Sequence, residues 1–112
     1  MEICIKDKAI PEILTWLDSL YEEVSDPIEM DDVVTVNCYS SGESVPVTLT
    51  LGVEDTSFVG VWFNSDRLHW KNLVELANQA SRYFGVAVRY EKTDLSSVFY
   101  EVSNGQTREV NW

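Results

Sequence analysis

His69 is the one histidine of the chain, and it follows Asp66 by three residues. On the first turn of a helix that spacing sets a carboxylate beside an imidazole, the smallest constellation capable of acid–base work. A capping Asp next to a solvated His produces the same pattern, and the sequence supplies no third member to orient the pair. There is no Gly-x-Ser-x-Gly elbow, and neither Cys4 nor Cys38 has a histidine close in sequence. A Cys–His nucleophile would have to be assembled by the fold. The acid-rich run Glu29-Met30-Asp31-Asp32 lacks the spaced oxygens and glycine of a calcium loop. Gly42, Gly52, Gly60, Gly85 and Gly105 stand singly, which leaves no loop to cradle a phosphate. The expectation is no catalytic residue, no metal and no cofactor, with a small enzyme of unrecognised site as one alternative.

Two features remain that a core alone does not require. The first is a crowd of carboxylates: Glu22, Glu23, Asp26, Glu29, Asp31 and Asp32 fall within eleven residues, supplemented by Glu12, Asp18, Glu43, Glu54 and Asp55. A solubility device would look the same, since like charges keep small proteins apart. The second is a supply of large aromatics, four Trp and five Tyr. Trp16 sits beside the apolar stripe of its helix, and Tyr39 falls on the more polar face of its strand. Aromatics exposed beside acids serve as anchors in protein interfaces, so Trp16 and Tyr39 join the six acids as candidate partner-binding residues.

Charge narrows the partner. The net charge is −11, and all of the excess lies in residues 1–55, which hold 13 acids and two bases, whereas residues 56–112 hold six of each. No Lys or Arg occurs between Ala9 and Asp66. Direct binding to a nucleic-acid backbone needs clustered cations, so a protein partner with a basic surface is expected instead. No apolar run approaches the ~18 residues that would cross a bilayer, the first residues lack the pattern of a signal peptide, and there is no Asn-x-Ser/Thr sequon. The expectations are a cytoplasmic protein, no membrane contact, and two buried, reduced thiols. A chain of 112 residues with 45% apolar and 24% charged content suits one globular domain spanning residues 1–112.

The elements that must position these side chains follow from periodicity. Ile10, Ile13, Leu14, Leu17, Leu20, Tyr21 and Val24 recur at helical spacing, which predicts a helix from about Lys8 to Val24 with Asp7 as cap and Pro11 in the first turn. Periodicity breaks at Pro27, so residues 22–32 read as an exposed acidic connection. Val34, Val36 and Cys38 alternate with polar neighbours. So do Val45, Val47, Leu49, Leu51 and Val53, where Pro46 suggests that the strand begins at an edge. Phe58 to Phe63 is apolar on both faces, as in a central strand. Ser65 to Phe84 predicts a second helix, with its stripe at Trp70, Leu73, Leu76, Ala77, Ala80 and Phe84 and its stop at Gly85. Val86 to Tyr90 and Val98 to Val102 read as strands, and Asn104-Gly105 predicts a tight hairpin pairing Glu101 with Arg108 and Phe99 with Val110. The fold class is α+β, in the order α-β-β-β-α-β-β-β, with room for a short strand through Ile3 and Ile5 ahead of it. The sheet is mainly antiparallel and both helices pack on one face.

In size, charge and lack of catalytic motifs the chain is similar to immunity proteins that neutralise bacterial toxins. It is also similar to phage inhibitors that present carboxylates where phosphates would lie. Those likenesses imply a non-catalytic acidic inhibitor, of anti-defence or nucleic-acid-mimic type, that meets a basic partner, as monomer or homodimer. The element order also resembles the type III secretion chaperones, small acidic dimers, although this chain closes on a hairpin where that family adds a helix.

Overall fold

A computed structural model describes residues 1–53, 57–91 and 98–112. The alternating apolar segments form one antiparallel sheet: β1 (Glu2–Lys6), β2 (Glu23–Val24), β3 (Ile28–Met30), β4 (Val33–Ser40), β5 (Glu43–Thr50), β6 (Phe58–Phe63), β7 (Val88–Glu91), β8 (Val98–Ser103) and β9 (Gln106–Asn111). The spatial order is β2-β4-β5-β6-β1-β7-β8-β9, with β3 following β2 along the same edge of β4. Two helices, α1 (Ile10–Leu20) and α2 (Leu73–Phe84), cover one face. The short strand through Ile3 and Ile5 proves to be the middle of the sheet, held between β6 and β7.

Register assigns every side chain to a face. Ile3 and Ile5 lie opposite Val61 and Val59, and Val47 and Leu49 lie opposite Phe63 and Val61, so these residues form the floor of the core beneath the helices. Each is fully or almost fully buried. Neighbouring positions project to the other face, which no helix covers among the described residues. Cys4 is on that open face and Cys38 is on the helix face, so the two buried thiols are separated by the sheet.

Two-residue turns set this register. Ser41-Gly42 and Asn104-Gly105 both take positive φ at both positions (53° and 78°, 53° and 77°), the backbone that matches strand twist in a tight hairpin. The second turn delivers the predicted pairs Glu101 with Arg108 and Phe99 with Val110. Pro46 lies in an interior strand and pairs with Asn37 of β4. On its other side the register of β5 with β6 begins at Val47, and there Pro46 presents its carbonyl, which accepts from Asn64 N at 2.9 Å.

Both helices are shorter than their periodicity implies. α1 starts after Ala9, whose N–H donates to Glu12 Oε1 at 3.1 Å, while Asp7 takes positive φ in the preceding turn instead of capping. It stops at Leu20 because Tyr21 turns extended and Val24 pairs with Cys38. Tyr21 and Val24 sit at helical spacing, and the ladder to β4 overrides it. α2 starts at Leu73, with Asn72 Oδ1 accepting from Glu75 N at 3.0 Å, and ends at Gly85 with φ 69°. Residues 64–72 form a bent segment that buries Trp70 ahead of the helix. Among the described residues no helix is long and apolar enough to cross a membrane.

Candidate functional site

The acidic tract is an edge of the sheet and not a loop. β2 pairs through Glu23 opposite Tyr39 and Val24 opposite Cys38; β3 pairs through Ile28 opposite Thr35, Glu29 opposite Val34 and Met30 opposite Val33. Between these ladders Ser25, Asp26 and Pro27 face only Asn37 and Val36, one residue more than a regular ladder accepts. The result is a bulge at Asp26-Pro27. Ser25 secures it, its N–H donating to Asn37 O at 2.9 Å and its Oγ accepting from Asn37 N at 2.8 Å. Alternation in Ile28-Glu29-Met30, followed by the two-residue Asp31-Asp32 turn, was the signal for a hairpin here. Asp31 adopts φ 55° in that turn, and Asp32 O accepts from Leu51 N at 2.9 Å.

Glu22, Glu23, Asp26, Glu29, Asp31 and Asp32 are all exposed. Glu22 also braces the β4–β5 turn, its Oε1 accepting from Ser41 N at 3.1 Å and its N–H donating to Ser40 Oγ at 3.1 Å. Among the described residues none of the six forms an ion pair with Lys, Arg or His. Of the supplementary acids, Glu12 pairs with Lys8 and Glu43 with Arg67 (3.4 and 3.0 Å). Asp18 is exposed on α1, and Glu54 and Asp55 lie outside the described residues.

The two candidate aromatics part company. Tyr39 is exposed on the open face, opposite Glu23, within reach of the acidic edge. Trp16 is 0% exposed and belongs to the core, a correction to its reading as an interface residue. α1 is clasped by the sheet on one side and by α2 on the other, so its buried arc is wider than a single stripe. The Trp16 ring meets Phe63 at 6.1 Å, Trp70 at 6.4 Å and Phe84 at 5.4 Å. In its place the tract presents two apolar side chains that the sequence reading left without a role, Ile28 and Met30, 67% and 72% exposed on the open face. Trp62 is exposed on the same face, and cross-strand pairs join it to Ile28 through Thr48 and Thr35.

Asp66 and His69 precede α2, and among the described residues no hydrogen bond joins them; His69 rests its ring against Tyr21 at 5.4 Å. Burial pushes the Cys38 thiol up to about 11 and the Tyr21 hydroxyl up to about 12, leaving both protonated. Glu101 is a buried carboxylate between Arg89 (2.7 Å) and Arg108 (2.8 Å). Burial acts to raise its pKa, but the hydrogen bonds and charges of both guanidinium groups outweigh burial and hold it below the ordinary glutamate value. Among the described residues no group of three or more His, Cys, Asp or Glu is arranged to hold a metal ion.

In comparisons with protein-family models, curated proteins and solved structures, the chain matched none.

Proposed function

We propose that the protein is a non-catalytic acidic binding protein that neutralises or inhibits a partner with a basic surface, docking it along the β2–β3 edge. The observation that carries this reading is the edge itself: six exposed carboxylates without a cationic partner among the described residues, interleaved with exposed Ile28, Met30 and Tyr39. Carboxylates at such a rim raise the rate of encounter with a cationic surface, and the apolar side chains between them supply contact area that slows dissociation. The bulge at Asp26-Pro27 suits this arrangement, because it interrupts the outer backbone and discourages indiscriminate strand addition.

The test uses the intact protein immobilised and exposed to an extract of its source cells at low and at high salt. The reading expects a basic protein to be retained at low salt and released by salt. With that protein in hand, Glu29→Lys, Asp31→Lys and Asp32→Lys together should slow association about tenfold or more and flatten its salt dependence, since rim charges act mainly on the on-rate. Association indifferent to both salt and charge reversal would leave the edge as a solubility device.

A further inference from the structure

β1 and β7 pair at only two positions, Cys4 with Arg89 and Ile5 with Val88. Continued by two residues, the same register would set Glu2 against Glu91 on the open face, and the ladder ends before that pair. Like charges facing each other across strands oppose pairing. Where the strands part there is a cavity of about 520 Å³, within the range of small-ligand sites. Its lining includes both carboxylates, together with Trp62, Phe99 and Trp112. Trp62 is the cross-strand neighbour of Glu2, and Phe99 that of Glu91, so each acid stands beside an aromatic ring. Gly60 makes room for one of them: a Cβ there would come within 3.2 Å of Glu2 Oε2 and 3.1 Å of Val53 Cγ2.

One step along the strands the chain fills the same chemistry with its own residue. The Arg89 guanidinium lies 4.6 Å from the Phe58 ring centroid and 4.9 Å from that of Trp112, and its Nε donates to Glu101 Oε2 at 2.7 Å. Aromatic faces and a carboxylate thus already hold one planar cation at this face. In the cavity the aromatic faces and two carboxylates recur, and among the described residues neither Glu2 nor Glu91 has a cationic partner. The Met1 ammonium at the margin donates to Phe63 O at 3.1 Å. Arg89 is held by Glu101, which it shares with Arg108, and so does not pair with Glu2 or Glu91.

We propose that this cavity binds a guanidinium group carried on an aliphatic stem. The planar cation stacks on Trp62 or Trp112 and donates to Glu2 and Glu91, and the stem lies along Phe99. The site does not depend on the acidic edge. It accepts either the arginine side chain of a polypeptide or a free guanidino compound.

The intact ¹⁵N-labelled protein is titrated with agmatine and, separately, with N-acetyl-arginine amide, at constant ionic strength, following backbone and indole N–H shifts. The expected result is saturable binding with a Kd near the millimolar range, with shifts concentrated at the Trp62 and Trp112 indoles, Glu2 and Glu91. Glu2→Gln with Glu91→Gln should weaken it about tenfold or more, and Trp62→Ala should weaken it as well. Mapping on the parent protein keeps the test decisive if a variant folds poorly. Tighter binding of agmatine points to a free compound, and equal or tighter binding of the blocked arginine to a polypeptide. No saturable shift by about 50 mM of either probe, shifts located elsewhere, or undiminished binding by the folded double variant would overturn the site.

Discussion

Trp16→Ala separates a core role from an interface role more sharply than any other substitution. A Trp side chain buries about 150–250 Å², and Trp16 is 0% exposed. At ~25 cal/mol per Å² its burial contributes roughly 4–6 kcal/mol, an upper bound because the unfolded chain is itself partly collapsed. Truncations of buried Phe and Trp to Ala cost about 3–5 kcal/mol. The ring joins α1 to Phe63 of β6, to Trp70 and to Phe84 of α2, so little can collapse into the space left behind. Against a total of about 5–15 kcal/mol the loss is about a fifth or more of the stability, and the melting temperature should fall by roughly 12–20 °C. Trp16→Phe should cost far less. It keeps most of the packing and removes an indole N–H that has no acceptor among the described residues, an orphan whose burial costs about 1–3 kcal/mol. Trp62→Ala is the control, because that side chain is 44% exposed and its loss should change stability by under about 1 kcal/mol. Urea denaturation followed by far-ultraviolet circular dichroism measures all three without relying on the indoles being altered. A Trp16→Ala protein whose midpoint matches the parent would refute the packing described for α1, and partner binding lost without any loss of stability would return Trp16 to the interface.

Further expectations follow from single contacts. The triple reversal Glu29→Lys, Asp31→Lys and Asp32→Lys should lower the urea midpoint only slightly, through the left-handed φ of 55° at position 31, because these exposed side chains have no ion-pair partner to lose among the described residues; a collapsed midpoint would mean that the edge is structural. Glu101 has a folded-state pKa below its unfolded value, so the stability it supplies is present above the ordinary glutamate range and is lost as pH falls through that range and on through the folded pKa. Glu101→Gln should therefore flatten the acid limb of a stability–pH profile below about pH 5, and an unaltered limb would show that the two arginines do not stabilise its charge. Cys38, buried with its thiol raised to about 11, should resist disulfide-exchange reagents until the domain unfolds, and rapid labelling of the native protein at neutral pH would contradict its burial. Gly105→Ala should cost about 1 kcal/mol in urea denaturation, since φ 77° is unfavourable for any residue with a Cβ.

Much of the fold was legible because its signals are local. Alternation over Val33–Ser40 and Glu43–Thr50 is a property of single strands, and Asn104-Gly105 determines a two-residue hairpin and hence the pairs Glu101–Arg108 and Phe99–Val110. Gly85 ends α2 by its own backbone preference. The segment Glu22–Asp32 shows where local signals compete. Proline and six acids suggest a loop, the weaker alternation of Ile28 and Met30 suggests a strand, and the outcome depends on whether β4 offers an unpaired edge.

The chain's composition and order alone determined that it carries its whole negative excess in one half, with no cation between Ala9 and Asp66 to neutralise it. They could not determine which side chains meet. Trp16 flanks the stripe of α1, and only the arrival of α2 and Trp70 on that flank buries it. Glu2 and Glu91 are 89 positions apart in the numbering, and only the insertion of β1 between β6 and β7 brings them to the same cavity. Periodicity reports which face of an element is apolar. The partner that covers that face is chosen by the packing of the whole sheet, where burial of distant residues outweighs the preference of any one segment.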